Sequence, residues 1–139
     1  METKASETIT ENIFRSYYGA DTFIEKSAIP KEFGFESKKG SGKDGYPDFF
    51  LDNEDFVIIV EAKTSKQKDA ENDVLFYMEH NKIDKDMLGI AVSGQTLEDL
   101  QVSYFNFLFL SVMNKKSPCF SWGMNCFFFL TNNIGYIIF

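Results

Sequence analysis

The sequence predicts an α/β domain, a three-layer α/β/α sandwich around a central mixed sheet. Three observations carry that expectation. The run Phe56-Val57-Ile58-Ile59-Val60 is aromatic and β-branched, is bounded by the acidic turn Asp52-Asn53-Glu54-Asp55, and reads as a strand buried on both faces. A helical stripe precedes it, and a second helical stripe follows it and leads into another buried apolar run at 87–92. Strands interleaved with helices in this way indicate a sheet covered by helices.

Taken in order, residues 5–18 place Ile9, Ile13, Phe14, Tyr17 and Tyr18 on one helical stripe, with Ser6 or Thr8 as a cap and Gly19 as a stop. Glu7 and Glu11 lie four apart and share a face, which is either solvated or turned toward a site. Residues 23–30 read as a short extended or turn segment. Residues 31–45 form a loop with Lys31, Lys38, Lys39 and Lys43 among four glycines. That loop suits phosphate contacts as well as it suits a solvated connection. Its Gly40-Ser41-Gly42-Lys43 string is not a phosphate-binding P-loop, because Asp44 follows the lysine and Ser37 occupies the first glycine's place.

Residues 46–63 read as a hairpin. The polar stretch 64–69 carries Lys66 and Lys68, and residues 70–81 read as a helix with Val74, Phe76 or Tyr77, and Met78 on its apolar side. A strand over 87–92 ends at Ser93-Gly94. Residues 96–100 have capping chemistry for a turn of helix, and 101–109 alternate as a further strand. Two apolar patches, 127–130 and 136–139, flank Thr131-Asn132-Asn133 as a hairpin would, or form a sticky apolar end. The whole of 1–139 is expected to be a single domain, with its core at about 6–110 and an apolar C-terminal region at 111–139.

Composition sets limits on function. The hydrophobic fraction of 44% and charged fraction of 25% belong to a globular chain rather than a disordered one. A net charge of −7 argues against a surface that binds nucleic acid everywhere, and leaves room for a local basic cleft. Cys119 and Cys126 are too few for a disulfide framework and lack the company of a zinc site. Residues 1–10 are polar and mixed in charge, and no apolar window reads as a membrane span. An intracellular (cytoplasmic) location away from the membrane is therefore expected.

The chemistry gathers in the hairpin. Side chains alternate along a strand, so Glu61 and Lys63 leave it on one face, and pairing with residues 46–51 brings Asp48 alongside. Ionised groups there are costly to bury unless they pair or bind a metal. The bland alternative is a solvated strand end with Asp48 as a turn residue. A Mg²⁺ ion takes oxygen ligands and keeps waters beside one or two carboxylates. Asp48, Glu61 and the backbone carbonyl of Ala62 supply such a set, with Mn²⁺ as a substitute. Lys63 would then stabilise charge developing on a phosphate or position the attacking water. Lone His80, on a helix surface, is a poor general base, and there is no Gly-x-Ser-x-Gly elbow or Cys-x-x-Cys pair.

Pro47-Asp48 followed by Glu61-Ala62-Lys63 at the end of an apolar strand resembles the PD-(D/E)xK nuclease superfamily, in the flavour of restriction-endonuclease nuclease domains fused to DNA methyltransferases or helicase motors. The resemblance spans about residues 6–105. It implies a restriction-endonuclease-like fold and a divalent-metal-dependent DNA endonuclease that hydrolyses phosphodiester bonds. Asp48 and Glu61 would be metal ligands and Lys63 the catalytic lysine. An acid of the first helix would join them, Glu11 in the first place and Glu7 in reserve. Asp73 stands where many members carry the glutamine of a Gln-x-x-x-Tyr pattern, whereas Tyr77 matches. Lys38, Lys39, Lys43, Lys66, Lys68 and Tyr77 are the expected DNA contacts. DNA, a second copy of the chain, and a methyltransferase or motor domain or subunit are the expected partners. Two other functions share the motif: a nuclease acting on branched DNA in the manner of Holliday-junction resolvases, and an inactive nuclease-fold module for DNA binding or assembly.

Overall fold

The computed structural model describes residues 5–107 and 128–131. Within them the chain runs α1 (Glu7–Tyr18), β1 (Ile24–Glu25), β2 (Phe49–Asp52), β3 (Phe56–Lys63), α2 (Gln67–Glu79), β4 (Asp86–Ser93), β5 (Gln101–Phe107) and β6 (Phe128–Thr131). The six strands lie side by side in chain order. All neighbouring pairs are antiparallel except β3 and β4, which are parallel and joined by α2 as a crossover. The sheet is therefore mixed, as expected for an α/β chain.

Alternation along β3 separates two cores. Val57 and Ile59 face α2 and pack with Ala70, Val74, Tyr77 and Met78, together with Phe35 and Phe50. Val60 and Ala62 face the other way and pack with Phe14 of α1, Phe49, Ile90 and Val92. Adjacent Phe49 and Phe50 thus serve opposite faces, each at most 2% exposed. Gly89 of β4 lets α2 approach closely, since a Cβ there would land on Met78 Sδ.

Helix α1 ends at Gly19, whose φ of 91° is open to glycine, as the sequence indicated. Ser6 occupies the N-cap position at its start, as expected, but makes no side-chain capping bond among the described residues. The Ser6 amide donates instead to Gln95 Oε1 at 3.0 Å, while Thr10 Oγ1 donates to the Gly94 carbonyl at 2.6 Å. Those bonds fasten α1 across the C-terminal ends of β3 and β4.

Helix α2 begins at Gln67 rather than at residue 70. Its first turn carries no apolar stripe because it is anchored by polar bonds: Gln67 Nε2 donates to the Ala91 carbonyl and Ser103 Oγ, and Gln67 Oε1 accepts from Ser93 Oγ. Residues 96–100 form a turn rather than helix, with Asp99 Oδ1 accepting from the Gln95 and Thr96 amides. The 31–45 loop contains a 3-10 turn at Lys31–Phe33 and a bridge between Glu36 and Asp44. Strand β6 pairs antiparallel with β5. Residues 136–139, most of the apolar 111–139 region and both cysteines lie outside the described residues. Among the described residues no helix is long and apolar enough to cross a membrane.

Candidate active site at the end of the central strand

The antiparallel register of β2 and β3 pairs Phe49 with Val60. One step further, the Asp48 amide donates to the Val60 carbonyl at 3.1 Å, which sets Asp48 beside Glu61 on the α2 face. Asp48 Oδ2 also accepts the Ala62 amide at 2.9 Å, so its carboxylate is fixed by the backbone of the strand that carries Glu61. Asp48 is 9% exposed and Glu61 only 1%. Two acids meet there because strand pairing leaves them no other position.

Around this pair the charges interlock. Lys38, from the long loop, reaches Glu61 Oε2 at 3.4 Å and Asp73 Oδ2 at 2.6 Å, and lies 5.3 Å from the centre of the Tyr77 ring. Lys63 reaches the same Asp73 oxygen at 3.1 Å and Glu7 Oε1 of α1 at 3.2 Å. Burial, followed by the charge of Asp48, pushes the Glu61 carboxyl up to about 8, and the two lysines offset this only in part. Burial opposes the charge of Lys63, yet its bond to Asp73 and the charges of Asp73 and Glu61 hold its ammonium above the usual lysine range. Asp73 is likewise held below the usual carboxylate range, against the cost of burial, by its bonds to both lysines. One oxygen stands apart. Glu61 Oε1 is buried and has no hydrogen-bond partner among the described residues.

On the far side of Asp48 opens a cleft of about 490 Å³, lined by Glu11, Lys26, Lys31, Tyr46 and Asp48 among others. Lys26 Nζ lies 3.4 Å from Asp48 Oδ1. Glu11 is raised above the usual carboxylate range by burial and then by Asp48, while Arg15 at 3.5 Å works the other way. The two first-helix acids thus divide the work: Glu7 contacts Lys63, and Glu11 senses Asp48.

Compared with known proteins, the chain matches no family model, no curated protein and no solved structure. What it does must be read from its own residues.

The structure brings together Asp48, Glu61, Ala62, Lys63 and the first-helix acids, and it redistributes the expected DNA contacts. Lys39, Lys43, Lys66 and Lys68 are exposed, Lys68 being paired with Glu71 at 3.3 Å. Lys38 is exposed too, but its ammonium is engaged by Glu61 and Asp73. Tyr77 is 2% exposed and packs edge-on to Phe35 and Phe76. His80 stacks on Phe76 at 4.1 Å and its Nδ1 meets the Phe76 carbonyl, at the helix end and away from the acids. Lys26 was not singled out from the sequence. Its placement depends on the two-residue strand β1 pairing with β2, which brings the Lys26 amide onto the Asp48 carbonyl at 3.2 Å.

Among the described residues no group of three or more His, Cys, Asp or Glu side chains is gathered tightly enough to hold a metal by itself. The two-carboxylate pair nevertheless fits a hard divalent cation that completes its shell with water and substrate oxygens. The buried Glu61 Oε1, lacking any donor, is the kind of atom such an ion would satisfy.

Proposed function

We propose that this chain is a Mg²⁺-dependent endonuclease acting on DNA, of the PD-(D/E)xK type, with a restriction-endonuclease-like arrangement of its mixed sheet and helices. The observation that carries the reading is Glu61: a carboxylate buried at the end of the central strand, one oxygen unpartnered, beside a second carboxylate locked in place by the Ala62 amide. Leaving such a group buried destabilises the fold unless a ligand or proton compensates it. In this reading Asp48, Glu61 and the Ala62 carbonyl hold the ion. A bound divalent ion polarises a phosphate oxygen and lowers the pKa of a bound water.

The chain's own residues do the rest. Lys63, held charged by Asp73 and Glu7, places an ammonium where the phosphorus centre gathers negative charge. Glu11, which lines the same cleft as Lys26 and Asp48, would orient water near Asp48. Asp73 anchors Lys63 and Lys38 together, which is a positioning role.

Incubation of linear duplex, plasmid and four-way junction DNA with Mg²⁺ or Mn²⁺ tests the proposal. Metal-dependent cutting of duplex, lost in Asp48→Ala, is the expected result. Preferential cutting of the junction would move the substrate to branched DNA. Absence of cutting with either metal rejects the enzyme.

One observation favours a second reading, an inactive nuclease-fold module. Lys38 already reaches Glu61 and offsets part of its burial without a metal, as a member of a structural ion-pair network would. Salt-dependent DNA binding without cleavage is its signature.

A further inference from the structure

We infer that the cleft beside Asp48 seats the phosphodiester backbone of the bound strand, with Lys26 and Lys31 as its phosphate contacts. The inference rests on the nuclease reading and supplies the grip on DNA that the acid cluster lacks.

The volume of about 490 Å³ suits a phosphate with its sugar, and is too small for a duplex, so the strand must pass along the mouth of the cleft. The lysines are positioned by rigid local structure: Lys26 opens a 3-10 turn at Lys26–Ala28, Lys31 opens another at Lys31–Phe33, and Pro30 immediately precedes the second. Charge within the cleft is unevenly matched. Arg15 donates to Glu25 and lies 3.5 Å from Glu11, so a single guanidinium is shared between those two acids. Among the described residues Lys26 pairs only with Asp48, at 3.4 Å, and its side chain is 57% exposed. Lys31 is exposed and makes no ion pair among the described residues.

If Asp48 turns to a divalent cation, its charge no longer offsets Lys26, and the cleft presents two ammonium groups to an anion. Both then lie next to the acids that would act on the phosphate. Lys38, the loop lysine whose ammonium already meets Glu61 and Asp73, is not needed for that contact.

The test is equilibrium binding of a labelled duplex, followed by fluorescence anisotropy across a salt series in Ca²⁺, for wild type, Lys26→Ala/Lys31→Ala and, as a control, Lys85→Ala. Lys85 pairs with Asp52 at the opposite end of the sheet. Each lost phosphate contact removes about 0.9 from the slope of log K against log salt, so the double variant should lose about 1.8. Its affinity deficit should then widen roughly sixtyfold for each tenfold fall in salt. Lys85→Ala should keep the wild-type slope. Both target lysines are exposed, and circular dichroism of each variant verifies folding. Wild type that binds and cuts DNA, with an unchanged slope in the double variant, overturns the cleft assignment and leaves the nuclease standing. Wild type that binds no DNA overturns both.

Discussion

Replacing Glu61 with glutamine should stabilise the protein, and increasingly so as pH rises. The carboxyl is 1% exposed and is raised from its ordinary 4.5 to about 8. Between those values the folded chain retains a proton that the unfolded chain has released, so stability falls as pH climbs through this window and levels off above it. At about 1.4 kcal/mol per pH unit, the penalty is on the order of 2 kcal/mol at pH 6 and 4 kcal/mol at pH 8. Glutamine keeps the shape and carries no charge. Urea unfolding of wild type and Glu61→Gln at pH 5, 6, 7 and 8 should therefore show a gap in favour of the variant that opens with pH. At pH 8 it would be a large share of the roughly 5–15 kcal/mol that holds a typical domain together. Saturating Mg²⁺ should narrow the gap by stabilising only the wild type. A variant less stable than wild type at pH 8, or a gap that stays constant with pH, would refute the claim that Glu61 is an uncompensated buried acid.

Lys38→Met should tighten Mn²⁺ binding, measured by isothermal titration calorimetry. A divalent ion about 4 Å from an ammonium is repelled by roughly 2 kcal/mol even at the dielectric of water, or about thirtyfold in affinity. Thr10→Val removes the hydroxyl that donates to the Gly94 carbonyl and accepts from Gln95 Nε2, and should cost about 1 kcal/mol in urea unfolding, since Gln95 still bonds to Gly94. Gly89→Ala should cost about 1–3 kcal/mol by the same measurement, because the added methyl meets Met78 under α2.

The hairpin and its acids were legible in the sequence because period-two alternation and antiparallel pairing are local rules. They place Glu61 and Lys63 on one face and Asp48 beside them without reference to the rest of the chain. Helix α2 was legible as a helix, but not in its first turn, where Gln67 bonds to β4 and β5 replace an apolar stripe. A lysine in a glycine-rich loop and a tyrosine in a familiar spacing suggest DNA contacts, but the sequence does not show what else Lys38 and Tyr77 touch. Only the fold shows the loop returning over α2, where the ammonium meets Asp73 and the ring packs on Phe35. Lys26 was invisible for the same reason: its role depends on a two-residue strand that no pattern announces.

The most direct test of the account is the rate at which Mg²⁺ supports conversion of supercoiled plasmid by wild type and by Lys63→Ala, both verified as folded. Wild type should nick or linearise the plasmid only with the metal present. Removing an ammonium aimed at the transition-state charge should slow it about a hundredfold or more. Equal rates in the two proteins, or no cutting by wild type at any Mg²⁺ concentration, would contradict the assignment of this strand end as a hydrolytic site.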